Sequence, residues 1–133
     1  TGYLDDPHDA ACFSGDTLLH TDYNPQNILS SGGRLWMVDW AWASRGAGFI
    51  DPACALPWLI TAGHSAAQAE AWAQTTSGWD RADPAAIDLF ATAIQRIWRE
   101  IATHNPGSRW QADLADAAET WSTYRAQRKL QPR

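Results

Sequence analysis

Pro25 sits within the stretch His20-Thr21-Asp22-Tyr23-Asn24-Pro25-Gln26-Asn27, and it limits most strongly what this part of the chain can become. Proline lacks an N–H and drives the residue before it away from helical geometry, so the stretch reads as a shaped loop. Ahead of it, Gly15-Asp16 introduces Thr17-Leu18-Leu19, a strand fragment that delivers His20. Behind it, Asn27 to Trp40 reads as a β-hairpin, because Gly32-Gly33 offers the two adjacent positive-φ positions that a primed turn requires. If Ser31 pairs with Arg34, Ile28 lies opposite Met37 and Asn27 opposite Val38. Asn27 and Asp39 then emerge together at the open end. Leu35, Trp36, Met37 and Val38 are apolar on both faces, which predicts a hairpin covered on both sides.

From Asp51 onward the pattern is helical. Asp51-Pro52 offers an N-cap with proline at the first helical position, Gly63 marks an end, and Pro57 should kink or shorten the segment. Ser65 and Gln68 form a capping box opening a helix to about Thr76, and Ser108 with Gln111 forms a second. Asp83-Pro84 begins the clearest helix, with Ile87, Phe90, Ile94, Ile97 or Trp98, and Ile101 at helical spacing, until Asn105-Pro106-Gly107 breaks it. On the last helix Trp110, Leu114, Ala117, Trp121 and Tyr124 share a face. Of nine tryptophans, Trp98, Trp110 and Trp121 fall on these apolar stripes and are expected in the core, whereas Trp40 and Trp42 adjoin Asp39.

Composition excludes several classes of function. A formal net charge of −5 argues against nucleic acid as a partner, since phosphate binding wants clustered Lys and Arg. No apolar run approaches the roughly 18 residues of a membrane span. The start shows neither the basic nor the apolar region of a signal peptide. Cys12 and Cys54, at no metal-like spacing, read as free thiols in a reducing cytoplasm, with a disulfide as the lesser alternative. Lacking an initiator Met, the sequence is expected to be part of something longer.

The loop His20–Asn27 has the spacing H-x-D-x-x-x-x-N of a kinase catalytic loop. Pro25 stands two before Asn27, Ile28-Leu29 follows, and the hairpin ends at Met37-Val38-Asp39-Trp40. Asp51-Pro52-Ala53 comes a dozen residues later. In these residues the sequence resembles the aminoglycoside phosphotransferase family of small-molecule kinases, closely over about Gly15 to Ala55. The resemblance implies an α+β, mainly α fold: a protein-kinase-like C-terminal lobe with a small β-hairpin carrying the catalytic and metal-binding loops. It implies transfer of the γ-phosphoryl group of ATP (or GTP) to a small-molecule hydroxyl, with Mg²⁺. Asp22 would be the catalytic base, and Asn27 and Asp39 the metal ligands. His20 and Asp51 would support the site structurally, and Asn24, Gln26, Trp40 and Trp42 are candidate substrate or site-wall residues. These residue types suit the chemistry, since phosphoryl transfer needs an acceptor hydroxyl held in line and negative charge neutralised.

Residues 1–14 then form a lead-in, 15–50 the catalytic loop, hairpin and metal loop, and 51–133 a helical subdomain. Residues 1–19 hold neither a phosphate-covering glycine loop nor a lysine, and the sole lysine is Lys129. The expected partner is therefore an N-terminal nucleotide lobe of the same protein, absent from this chain, and the chain alone should have little activity. Asn24, Gln26 and Ala55 depart from the residues usual in the family. The competing reading is a non-catalytic kinase-like remnant acting as a binding domain. A metal-dependent hydrolase using His20 and Asp22 with His8 or His64 lacks a supporting HExxH-type motif. The later acidic residues Glu70, Asp80, Asp83, Asp88, Asp113, Asp116 and Glu119 read as solvated helix faces or as the wall of a cationic-substrate pocket.

Overall fold

Turn chemistry governs the first third of the chain in the computed structural model, which describes residues 2–130. Gly32 and Gly33 adopt φ of 57° and 73°, and around them β2 (Ile28–Ser31) pairs antiparallel with β3 (Arg34–Met37) in the register Ile28↔Met37 to Ser31↔Arg34. That register is the one expected from the turn. The Val38 N–H donates to the Asn27 carbonyl at 2.9 Å, which carries the pairing to the hairpin mouth.

The expected cover over this hairpin is not present. Leu35 is 75 % exposed and Trp36 53 %, and Ile28 and Leu29 are exposed as well. Alternation along a strand reports which face a side chain takes. Whether another element lies over that face depends on the rest of the fold, and no described residue buries these side chains.

A second antiparallel pair had no local signal at its far strand. β1 (Thr17–Leu19) lies against β4 (Ser44–Gly46) in the register Thr17↔Gly46, Leu18↔Arg45, Leu19↔Ser44. β4 reads Ser-Arg-Gly, without an apolar residue to announce it. Before β1 a 3₁₀ helix, Pro7–Phe13, begins at Asp6, whose carboxylate accepts from the His8 N–H.

Five helices follow among the described residues: α1 (Ile50–Thr61), α2 (Ala66–Ala73), α3 (Ser77–Asp80), α4 (Pro84–His104) and α5 (Arg109–Leu130). The core lies mainly between α1, α4 and α5, around Ala53, Leu56, Ile87, Ala91, Ile94, Ala118 and Trp121. Phe13, Phe49 and Phe90 meet edge to face with ring centroids 5.6–6.3 Å apart, fastening the lead-in to α4 and the start of α1. Such edge contacts suit the quadrupoles of the rings.

The helix ends partly follow local expectation. Asp83 caps α4 by accepting from the Ala85 N–H at 2.9 Å, and Ser65 and Gln68 complete a reciprocal capping box on α2. α1 runs through Pro57 without a break. Gly63, at φ 104°, ends α1 as a Schellman motif, with His64 N–H on the Leu59 carbonyl and Gly63 N–H on that of Ile60.

Three details differ from expectation. α2 ends at Ala73 rather than near Thr76. The Ser108–Gln111 box does not form: the Ser108 N–H donates to the Asn105 carbonyl in the turn that leaves α4, and Gln111 Oε1 is buried with no partner among the described residues. Trp110 is half exposed rather than in the core: in the first turn of α5 it stacks on Trp58 at 6.0 Å and meets Trp98 of α4 edge-on at 6.2 Å, and no other described aromatic ring covers it.

Candidate active site

The site grows from the end of β1. His20 is 1 % exposed, and its N–H and both ring nitrogens are engaged. Its N–H donates to Asp51 Oδ2 at 2.8 Å, Nε2 lies 2.7 Å from the Val38 carbonyl, and Nδ1 accepts from the Asp22 N–H at 3.3 Å. A carbonyl can only accept, so Nε2 carries the proton and Nδ1 is the acceptor. The ring is further fixed by edge contacts with Trp40 at 4.7 Å and Tyr23 at 6.2 Å. With both nitrogens spent on the backbone of the two loops, His20 is held as a brace.

Asp51 comes from α1 but is not its N-cap, a position that falls on Phe49. Its carboxylate reaches back to the loop and accepts two backbone N–H groups, His20 on Oδ2 and Thr21 on Oδ1 at 2.9 Å. Hydrogen bonds to a charged acceptor are stronger than neutral ones, so this clamp is the main tether of the loop to the helical body. One of the two amides it holds belongs to a residue in left-handed geometry, Thr21 at φ 65°.

Asn24 accepts from the Gln26 N–H at 3.0 Å and so caps the single 3₁₀ turn Pro25–Asn27. That turn aims Asn27, itself buried, back across the loop. Its Nδ2 donates to Asp22 Oδ2 at 2.9 Å and to the Asp22 carbonyl at 3.1 Å. The amide orientation follows, and Oδ1 faces away with no hydrogen bond among the described residues. Asp39, at φ 59°, leaves the hairpin mouth with its side chain exposed. Trp40 Nε1 donates to the Met37 carbonyl at 2.9 Å, while the Trp42 ring is largely exposed and its carbonyl accepts from Thr21 Oγ1 at 2.9 Å.

The loop residues thus converge: His20, Asp22, Asn27 and Asp51 form one hydrogen-bonded unit, and Trp40 packs on it. Asn24 is committed to its turn, and Gln26 is exposed. Thr21 was not singled out by sequence reasoning, and nothing local could have done so, since β-branched residues disfavour positive φ. Behind the loop lies Cys54. Burial first, and then the Asp51 and Asp22 carboxylates, push its thiol up from 9.0 to about 12. Burial likewise raises Tyr23, with Asp51 as a further cause.

For a metal, the available donors are Asn27 Oδ1 and the Asp39 carboxylate, hard oxygens of the kind Mg²⁺ prefers. No cluster of three or more His, Cys, Asp or Glu side chains is arranged for a metal among the described residues. In type each is an oxygen that Mg²⁺ takes, and an ion held there would draw its remaining ligands from phosphates and water, as such ions commonly do.

The later acidic residues do not join this site. Glu70, 1 % exposed, accepts from Trp121 Nε1 at 3.0 Å, Arg125 at 2.8 Å and Arg128 at 2.6 Å. Asp88 pairs with Arg125 and Lys129, Asp116 and Glu119 with Arg99, and Asp83 is a cap. Glu70 is therefore not a solvated residue: with Asp80 and Asp88 it lines a cavity of about 730 Å³, but its charge is met there by Arg125 and Arg128.

A family model described as a phosphotransferase enzyme family matches residues 14–90, more than half the chain and the whole of this site. No curated protein and no solved structure matches. Among the described residues no helix is long and apolar enough to cross a membrane.

Proposed function

Because the chain belongs to the phosphotransferase enzyme family, we propose that it is the C-terminal lobe of a kinase moving the γ-phosphoryl group of ATP (or GTP) to a small-molecule hydroxyl. The observation that carries this reading is the Asn27–Asp22 pair. One amide orients the carboxylate with its nitrogen and presents its oxygen outward, beside a hairpin that ends in a second carboxylate.

In this reading Asp22 Oδ1, which accepts nothing among the described residues, takes the hydrogen bond of the acceptor hydroxyl. Asp22 orients that oxygen in line and receives its proton late in the reaction. Asn27 Oδ1 and Asp39 would hold Mg²⁺, which when bound neutralises charge on the β- and γ-phosphate oxygens. His20 and Asp51 fix the loop so that no reorganisation is needed at the moment of transfer. Asn24, Gln26, Trp40 and Trp42 border the acceptor.

Lys129, the sole lysine, sits on α5 and pairs with Asp88 at 2.8 Å, which supports a reading in which the phosphate-gripping lysine would come from another part of the same protein. The exposed Ile28, Leu29, Leu35 and Trp36 support such a second lobe, which would cover them. The ion pairing of Glu70, Asp88, Asp116 and Glu119 gives no support to a polycationic acceptor. Two free thiols accord with a cytoplasmic location.

The test compares the intact protein with the 133-residue chain in Mg²⁺-dependent transfer from labelled ATP and GTP to a panel of hydroxyl compounds. Transfer by the intact protein and little by the chain alone is expected. Normal turnover by the chain alone would sink the two-lobe reading. An intact protein that binds no Mg²⁺–nucleotide would favour the binding-domain remnant.

A further inference from the structure

Thr21 holds a conformation that suits glycine, at φ 65°, yet the chain places a β-branched residue there. What glycine could not supply is the hydroxyl. Thr21 Oγ1 donates to the Trp42 carbonyl at 2.9 Å, across 21 positions of sequence. The partner is the one the sheet dictates. β1 and β4 run Thr17↔Gly46, Leu18↔Arg45, Leu19↔Ser44, and two further steps along the same register place Thr21 opposite Trp42.

An ordinary strand would continue this ladder with backbone N–H groups. Here the His20 and Thr21 N–H groups are both diverted to Asp51, at 2.8 and 2.9 Å. The left-handed turn at Thr21 makes that diversion possible. The hydroxyl then takes over the connection that the backbone has given up. Trp42 lies in the turn between Asp39 and β4, closed by the Ala43 N–H on the Trp40 carbonyl at 3.0 Å.

We propose that Thr21 is a positioning residue whose hydroxyl locks the loop bearing Asp22 to the loop bearing Asp39, so that the two act as one rigid unit. This rests on the phosphotransferase reading for its catalytic meaning, but the locking itself does not. Without the hydroxyl the Asp22 loop stays clamped by Asp51 and joined to Val38 and Trp40 through His20, while the Trp40–Ala43 turn loses its tie at Trp42. The spacing of the acceptor-orienting carboxylate and the metal-binding one then rests on the His20 bridge alone and is held less tightly.

Three variants of the full chain separate the possibilities: Thr21→Val keeps the shape without the donor, Thr21→Ser keeps the donor, and Thr21→Gly relieves the backbone and removes the donor. The first readout is amide hydrogen exchange without nucleotide. The Ala43 amide is expected to exchange about tenfold faster in the Val and Gly variants, at wild-type rate in the Ser variant, and α4 and α5 to be unchanged in all three. The second, in the intact protein, is a kcat lowered about tenfold in the Val variant with nucleotide KM nearly unchanged, restored by Ser. Wild-type exchange at Ala43 in the Val or Gly variant overturns the proposal. Loosening that Thr21→Ser shares, or that extends equally to α4 and α5, assigns Thr21 to general stability and overturns it too. A wild-type protein without phosphoryl transfer removes the catalytic reading alone, because the exchange measurement still decides the locking.

Discussion

The Asn27 side-chain amide donates to Asp22 twice, to its carboxylate at 2.9 Å and to its backbone carbonyl at 3.1 Å. The candidate base and the candidate metal ligand are therefore positioned by each other, and the two ought to be separable by mutation. Asp22→Asn should lower kcat roughly 10²-fold or more in the intact protein while leaving Mg²⁺–nucleotide affinity near wild type. Asn27→Ala should weaken both. Steady-state kinetics beside calorimetric nucleotide binding reads the split, and an unchanged kcat in Asp22→Asn would remove Asp22 from the base role.

Asp51 holds two loop N–H groups with two oxygens. Asp51→Ala leaves both without an acceptor and should cost about 2–4 kcal/mol of stability. Asp51→Asn should be nearly as damaging, because its amide nitrogen would confront one of those donors. Urea unfolding midpoints decide this, and an Asn variant as stable as wild type would show that only one of the two bonds matters.

Glu70 is buried against Trp121, Arg125 and Arg128. Removing it leaves Arg125, which is itself largely buried, with only Asp88 as its ionic partner. Glu70→Ala should therefore cost about 3–5 kcal/mol, as expected when one member of a buried ion pair is lost. A loss below about 1 kcal/mol in denaturant titration would mean that the cluster is solvated.

Cys54 links the site to pH. Its thiol is held up at about 12 in the folded chain by burial and then by the Asp51 and Asp22 carboxylates, against 9.0 when unfolded. Between those values the unfolded chain has released a proton that the folded chain keeps, so stability present below about pH 9 falls as pH rises toward 12, by about 1.4 kcal/mol per pH unit. Cys54→Ala should flatten that slope. At pH 8 a thiol reagent should label exposed Cys12 readily and the partly buried, high-pKa Cys54 far more slowly until the chain unfolds. Equally rapid native labelling of both thiols would refute the shielding of Cys54.

Features whose causes lie within a few residues of each other were legible in advance. Gly32-Gly33 implied the turn, the turn implied the register, and the register brought Asn27 and Asp39 to one end. Ser65 with Gln68 and Asp83 with Pro84 announced their helices in the same way. Where a local signal failed, a competing local partner explains it: the Ser108 N–H was already taken by Asn105.

The sequence by itself determined the loop that Pro25 keeps from becoming a helix, the hairpin beside it, and the family whose match spans residues 14–90. Tertiary structure alone decided that Asp51 clamps residues 30 positions earlier, that Glu70 is buried rather than solvated, that the hairpin's apolar faces lie open, and that Thr21 turns left-handed to meet Trp42. The physical reason is common to all four. Each depends on which distant group arrives to accept a hydrogen bond, neutralise a charge or cover a face, and no spacing along the chain records that arrival.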